Sequence, residues 1–164
     1  MLGAKPPAHI LIGIFEQVTK KGLIAMDDAL TYERLLERRN STLDGWLGIE
    51  IIEIDEQGVV LTMPVSEKIH QPSGVVHGGI YLVLAESAAG IHASYITDMS
   101  KNFPMGIENN ASHLRSVSEG TLRADARLVR RSRSLAVHTV EIQHLESEEI
   151  LSTARVTSYY KAVK

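Results

Sequence analysis

The sequence contains no cysteine among its 164 residues. This excludes disulfide bonds, thiolate catalysis and zinc sites with cysteine ligands, and it favours a reducing compartment, so we expect a cytoplasmic protein. Aromatic residues make up only 5% of the chain, which argues against an aromatic stacking platform for nucleic acid. The formal net charge of −3 provides no overall attraction to nucleic acid or to an anionic membrane. We therefore expect neither as a partner.

Several catalytic and nucleotide-binding motifs are also missing. There is no GxSxG nucleophile elbow, no GxxxxGK[ST] phosphate loop, no GxGxxG fingerprint and no HExxH zinc motif. The seven histidines show no spacing that is typical of metal ligands. The sequence therefore predicts no metal site.

Length and composition suit one domain with a sizeable core, since 44% of the residues are hydrophobic and 23% are charged. Residues 1–44 differ from the rest of the chain. Apolar residues at helical spacing in residues 10–18, and strong helix formers in residues 29–39, predict a helical N-terminal extension. The main domain is predicted at residues 45–164.

Strands are predicted from Leu47 onward. Two segments rich in β-branched residues, 48–55 and 59–64, precede a long helix. Four further segments follow it, at about 105–117, 120–131, 135–145 and 149–161. Because short connections join these four, we expect an antiparallel meander. One helix must cover the apolar face of the whole sheet, so the sheet has to curve around it. The sequence therefore predicts an α+β fold in which a curved antiparallel sheet wraps around one long central helix.

The long helix is predicted at residues 80–96, directly after the sequence HGG at 77–79. Apolar residues fall on all its sides, which is typical of a helix surrounded by protein. Its one acid, Glu86, must be paired, neutralised or used in catalysis, because isolated burial of a charge is costly. Glu86 is therefore a candidate general base or nucleophile. The alternative is a structural acid, paired with a buried arginine or with the hydroxyl of Ser87 or Tyr81.

Two glycines, Gly78 and Gly79, stand at the helix start, where free N–H groups and the helix dipole can hold an anion or oxyanion. The alternative is that they only permit a tight turn. Eight residues separate Gly78 from Glu86, about 12 Å along a helix, whereas a reacting carbonyl must lie within about 3 Å of both groups. If both act on one carbonyl, Glu86 comes from a second subunit, which predicts a two-fold dimer with shared sites.

Other polar residues could contribute to such a site. His77 could orient the acid or bind near the carbonyl, and it could equally cap the helix. Gln71, in the preceding loop, is a neutral donor that could polarise a carbonyl. His113 and Arg115 are predicted to share one face of a strand, where they could contact a phosphate. A cluster of five arginines could also bind phosphate, because the forked donors of arginine bind it bidentately. The alternative is that these residues form surface ion pairs; they are Arg123, Arg127, Arg130, Arg131 and Arg133.

These residues resemble the hotdog-fold acyl-CoA thioesterases, in the PaaI-like branch that includes 4-hydroxybenzoyl-CoA thioesterases. The resemblance extends from about Leu47 to Tyr160. Its most specific part is the string QPSGVVHGG at 71–79, followed by LAES at 84–87. The segments MPV at 63–65, GIENNASH at 106–113 and EG at 119–120 support it.

The resemblance implies hydrolysis of an acyl-CoA thioester, with an aryl or a short or medium acyl group, to free acid and CoA, and no cofactor beyond the CoA of the substrate. Glu86 would act on the thioester carbon as nucleophile or general base. The Gly78 amide, assisted by Gln71, would polarise the carbonyl, and His77 would position the thioester. The active sites would lie at the interface of a homodimer, and dimers would pair into tetramers. The remaining substrate-binding candidates are Gly79, Ser87, Gly90, His113, Arg115, Arg130, Arg131 and Arg133.

One position departs from that family. Four residues beyond the acid, where related enzymes often carry Ser or Thr, this chain has Gly90. The missing hydroxyl bears on how water is held or on which acyl group is accepted. Two other functions stay open. One is a hotdog dehydratase or hydratase, in which His70 or His77 shares acid–base work with Glu86. The other, which the Gly90 departure keeps open, is a non-catalytic acyl-CoA-binding protein.

Overall fold

The computed structural model of the chain describes residues 31–163. Residues 1–30, which include the predicted helix at 10–18, lie outside the described residues, and the division of the chain at residue 44 stays a prediction. The helices are α1 (Tyr32–Arg39), α2 (Leu43–Leu47) and α3 (Gly78–Tyr95), with a short 3-10 helix at Glu67–Ile69. The strands are β1 (Glu50–Ile54), β2 (Gly58–Pro64), β3 (Asn102–His113), β4 (Thr121–Arg131), β5 (Leu135–His144) and β6 (Ile150–Ala162).

The strands form one six-stranded sheet in the order β1-β2-β4-β5-β6-β3, and every neighbouring pair is antiparallel. The predicted meander is confirmed for β4, β5 and β6 and is wrong for β3, which pairs with β6 at the edge of the sheet. The connection at residues 114–120 makes this possible. Seven extended residues span about 23 Å, which is enough to cross the width of β5 and β6.

Small and aliphatic side chains alternate along the inner face of the sheet, as predicted. In β4 the buried positions are Leu122, Ala124 and Ala126. In β5, Val140 and Ile142 are likewise almost or completely buried. Because alanine adds little bulk, the sheet can approach α3 closely along β4, and its curvature lets several strands reach the same helix.

The central helix α3 is buried on the sides that face the sheet, where Leu84, Ala85 and Ala88 are fully buried. The prediction that protein surrounds it on all sides is wrong for the single chain. Glu86 is exposed and Gly90 is half-buried; positions four apart lie on one face of a helix, so these two mark an open side. The sheet covers only part of the helix surface. No helix in the described part of the chain is both long and apolar enough to span a bilayer.

The corner formed by α1 and α2 packs against α3. The ring of Tyr32 lies 5.4 Å from that of Tyr95, edge to face. Gly45 allows the tight corner, because a Cβ there would overlap the Asn40 carbonyl oxygen. At α2 the Ser87 hydroxyl donates a hydrogen bond to Asp44 Oδ1 at 2.8 Å, which attaches the corner to the middle of the central helix.

Two histidines form a polar pair in the core. His92 Nε2 lies 3.0 Å from the Asp55 carbonyl oxygen, which can only accept, so this nitrogen carries the proton. His92 Nδ1 is then an acceptor, and it receives a hydrogen bond from His138 Nε2 at 2.7 Å. His138 Nδ1 is buried and has no partner among the described residues. Both rings are fully buried, and burial lowers the pKa of His92 and lowers that of His138 to about 4.

Candidate functional site

The N-terminus of α3 presents an amide that no residue of 31–163 accepts from. His77 is the N-cap residue, and the Gly79 N–H donates to its Nδ1 at 2.9 Å. The Gly78 N–H has no acceptor within the described part of the chain. The capping alternative for His77 is therefore observed, and it leaves the Gly78 amide, at the positive end of the helix dipole, available to a ligand oxygen.

His113 lies against this amide. A Cβ on Gly78 would be 3.0 Å from the imidazole Cδ2 of His113, so the absence of a side chain there allows the close approach. The Ser152 hydroxyl donates to the Ser112 carbonyl at 3.2 Å and lies 3.0 Å from His113 Nδ1. Because that hydroxyl has a single proton, Nδ1 of the neutral ring is the donor and Nε2 is an acceptor facing the helix start. His113 is thus fixed beside Gly78.

The carboxylate of Glu86 lies between α3 and β3. Asn109 Nδ2 donates to its Oε2 at 3.2 Å. Its Oε1 occupies the space that a side chain on Gly106 would need, 2.8 Å from an ideal Cβ at that position. No ion pair holds Glu86 among residues 31–163. The acid is therefore held by a neutral amide at the open side of the helix, and no described arginine is its partner, contrary to the structural alternative.

Gly78 and Glu86 belong to the same uninterrupted helix, Gly78–Tyr95. Their separation is therefore about 12 Å, as predicted. One chain cannot bring the amide and the carboxylate to the same carbonyl carbon.

The loop before α3 holds Gln71 in a tight turn. The Gln71 N–H donates to the Val75 carbonyl at 2.8 Å and the Gly74 N–H donates to the Gln71 carbonyl at 2.9 Å. Gly74 has φ +81°, a left-handed conformation that favours glycine. The side-chain amide of Gln71 donates to the Ser73 hydroxyl at 2.9 Å. Gln71 is half-buried, and its side-chain amide is used within the loop.

Ser87 and Gly90 lie on α3 next to Glu86. The Ser87 hydroxyl is used by Asp44, whose other oxygen is 3.6 Å from Arg39 Nε. A Cβ on Gly90 would meet no atom within 4 Å. The position where related enzymes often carry Ser or Thr therefore opens onto space that a larger side chain or a ligand could fill.

The basic candidates divide into two groups. Arg115 lies beyond the end of β3, so the prediction that it shares a strand face with His113 is wrong, and it pairs with Glu149 at 3.1 Å. The strand register, followed from β3 through β6 and β5 to β4, places His113 level with Ala124. Arg131 lies seven residues beyond Ala124 on β4, and this separation is about 23 Å along the strand. Near that far end of the sheet, the exposed arginines with no ion pair among the described residues are Arg130, Arg131 and Arg133.

Three residues beside the acid were not predicted from sequence. Gly106 and Asn109 lie in the segment GIENNASH, which contributed to the resemblance without a role for either residue. Asp44 comes from the predicted extension, and no motif marks it. Among the described residues no group of three or more histidine, aspartate or glutamate side chains is arranged to hold a metal ion.

Comparisons with known proteins agree with this architecture. The Thioesterase superfamily pattern matches residues 73–151. A 1,4-dihydroxy-2-naphthoyl-CoA hydrolase of Listeria monocytogenes is 37% identical over 111 residues, which are 68% of this chain and 89% of that protein. The proofreading thioesterase EntH of Cronobacter turicensis is 39% identical over 94 residues, 57% of this chain and 68% of that one.

A solved structure extends the match. The thioesterase of Haemophilus influenzae superposes with a TM-score of 0.73 at 29% identity, covering 85% of this chain and 96% of that one. The predicted hotdog fold, a curved antiparallel sheet around one central helix, is confirmed. The chain belongs to the thioesterase superfamily, a family of enzymes that hydrolyse thioesters.

Proposed function

We propose that the protein hydrolyses an acyl-CoA thioester to the free acid and CoA. The main observation behind the proposal is the Glu86 carboxylate, which Asn109 holds at the open side of α3 with no cation beside it among residues 31–163. It lies on a helix whose first amide has no acceptor in the same range. An aryl or a short to medium acyl group is proposed, and the name of the Listeria monocytogenes relative, an aryl-CoA hydrolase, supports it.

Each part of the site has a role in this reaction. The Gly78 N–H, with the helix dipole behind it, would stabilise the negative charge that develops on the thioester oxygen, assisted by Gln71 as the family resemblance implies. Glu86 would attack the carbonyl carbon or remove a proton from the attacking water. His77 would position the thioester group. Water, an acid and a polarised carbonyl are sufficient for the hydrolysis, so we propose no cofactor.

The separation of Gly78 and Glu86 supports a site shared by two subunits. The edge strand β3 pairs with β6 and with no other strand among the described residues, so its second edge can pair with another copy. Met105 and Ile107 on this strand are exposed in the single chain. A two-fold dimer through β3 would cover them, and we propose this dimer and, from the family resemblance, its association into tetramers.

The phosphates of CoA would bind to exposed basic residues. Arg130, Arg131 and Arg133 are the better candidates, because Arg115 is already paired with Glu149. His113 would instead lie near the thioester, since its ring contacts Gly78.

The dehydratase alternative requires a histidine that is free to share acid–base work. His77 Nδ1 accepts the Gly79 amide, and His70 Nε2 lies 3.0 Å from the Ser118 carbonyl. Both rings thus have a partner within the chain, which favours hydrolysis. Measuring both thiol release and enoyl hydration on the same thioesters would separate the two reactions, and binding without either would indicate the non-catalytic alternative.

The proposal is tested by thiol release from acetyl-, hexanoyl-, palmitoyl-, benzoyl-, 4-hydroxybenzoyl- and 1,4-dihydroxy-2-naphthoyl-CoA. Glu86→Gln is expected to lower kcat by about 10²- to 10⁴-fold on the best of these, which is the usual contribution of a positioned acid or base. Gly78→Pro removes the N–H at a helix position that accepts proline and should be similarly inactive. Gly78→Ala is the matched control, because it adds the same Cβ beside His113 and keeps the N–H.

Mixing the two inactive proteins tests the shared site. A dimer of one Glu86→Gln and one Gly78→Pro subunit contains one intact site, so random exchange should restore about a quarter of the wild-type activity. Near-normal turnover of Glu86→Gln would reject the assigned role of the acid. No recovery after proven subunit exchange would reject the shared site.

A further inference from the structure

The amide of Asn109 bridges strand β3 and helix α3. Its Nδ2 donates to the Leu82 carbonyl at 3.0 Å and to Glu86 Oε2 at 3.2 Å. A helix carbonyl only accepts, and an ionised carboxylate only accepts, so the nitrogen must face both groups and the orientation of the amide is set by chemistry. Leu82 and Glu86 are four residues apart and lie on one face of the helix. One side chain therefore spans a full turn of α3.

This bridge makes the two oxygens of Glu86 unequal. Oε2 is bound to Asn109, whereas Oε1 lies over Gly106, in space that any other residue would fill. The pairing of β3 with β6 shifts by one residue between Gly106 and Glu108, and such a bulge changes the direction of nearby side chains. The amide, the glycine and the bulge together form a seat that holds one oxygen and leaves the other without a hydrogen bond from the described residues.

The bridge is not the arrangement that stability alone would favour. Asn109 Oδ1 is buried and accepts no hydrogen bond from the described residues. A buried acceptor without a partner costs free energy, and an apolar side chain of similar size would avoid that cost. What asparagine provides, and leucine would not, is the donor to Glu86.

The other acids near the seat have partners elsewhere. Glu108 binds Arg155 at 3.0 Å and Thr157 at 3.0 Å on the outer side of the sheet. Asp44, which approaches α3 from α2, accepts from Ser87. Within residues 31–163, Asn109 is thus the one side chain that donates a hydrogen bond to the Glu86 carboxylate.

We propose that Asn109 is a positioning residue of the thioesterase, which holds Glu86 Oε2 so that Oε1 is presented to the thioester carbon or to the attacking water. The inference rests on the proposed function, because it assigns the orientation of the acid that the function uses. Asn109 itself forms and breaks no bond with the substrate.

Two substitutions and one control test this role, on the thioester that gives the highest wild-type kcat/KM. Asn109→Leu removes the donor and the unpartnered acceptor together. Its kcat should fall by about 10- to 100-fold, since an acid displaced by about 1 Å loses that much, while KM changes little and the melting temperature stays equal or rises. Asn110→Ala, at the neighbouring position facing outward with Glu108, should match the wild type.

Asn109→Asp tests the pH dependence of kcat/KM, which would not change if Asn109 had a purely structural role. A second carboxylate beside Glu86 disfavours ionisation of the pair, so the acid limb of kcat/KM should shift to higher pH. This nearly isosteric variant decides the question if Asn109→Leu does not fold. Unchanged kcat and an unchanged pH profile in the folded variants would overturn the inference and leave the proposed function intact, provided that Glu86→Gln is inactive. Full turnover of Glu86→Gln would instead overturn the function.

Discussion

Mild acid should destabilise the protein through the buried pair of His92 and His138. In the folded chain the pKa of His138 is lowered to about 4, with burial as the main cause and the neighbouring His92 as the second cause. An unfolded histidine has a pKa near 6.5. At a pH between these two pKa values, the histidine is protonated in the unfolded chain and neutral in the folded chain. The stabilisation is therefore complete above pH 6.5 and is lost as the pH falls towards 4.

The magnitude follows from the same two values. At about 1.4 kcal/mol per pKa unit, the difference between 6.5 and 4 corresponds to a maximum loss of about 3 kcal/mol in the free energy of unfolding. By linkage, His138 alone should lower the free energy of unfolding by about 2 kcal/mol at pH 5. The lowered pKa of His92 acts in the same direction. The structural reason is that a proton on His138 Nδ1 would create a buried N–H⁺ with no acceptor among the described residues.

Urea denaturation at fixed protein concentration, between pH 7.5 and 5, measures this loss. His138→Leu should remove most of the pH dependence, whatever its effect on stability at pH 7.5. His144→Gln is the control, because that ring lies at the end of β5 beside Glu146 and Ser147, and it should retain the fall. A free energy of unfolding that stays constant from pH 7.5 to 5, or a pH dependence that is undiminished in His138→Leu, would refute the reasoning.

Two glycine-to-alanine changes and one change in α2 follow from the same geometry. Gly106→Ala places a Cβ 2.8 Å from Glu86 Oε1, so kcat should fall about 10-fold or more through displacement of the carboxylate; normal kcat would show that the seat adapts. Gly90→Ala meets no atom within 4 Å and should stabilise α3 by up to about 1 kcal/mol in urea denaturation, and a lower midpoint would contradict the open space seen there. Asp44→Ala removes the acceptor of Ser87 and should cost about 1–3 kcal/mol of stability by the same measurement, whereas an unchanged midpoint would mean that the bond contributes nothing net.

The sequence by itself determined the fold class and the separation of Gly78 from Glu86. Alternation of small apolar residues in β4 and β5 depends only on the two-residue period of a strand, and it predicted which faces are buried. The positions of Gly78 and Glu86 determined their separation, because the rise of a helix does not depend on its surroundings. Local periodicity is therefore sufficient to predict the central helix, and the rise of that helix supplies the geometric argument for a shared site.

Tertiary structure alone decided the environment of the acid. Strand β3 lies beside β6 because a seven-residue connection can cross the sheet, a choice that no local pattern encodes. That placement brings Gly106 and Asn109 to Glu86 from a distant part of the chain. The same long-range pairing places His138 against His92 and separates the arginines of β4 from Arg115. Contacts between residues far apart in sequence depend on which strands become neighbours, and that depends on the packing of the whole sheet.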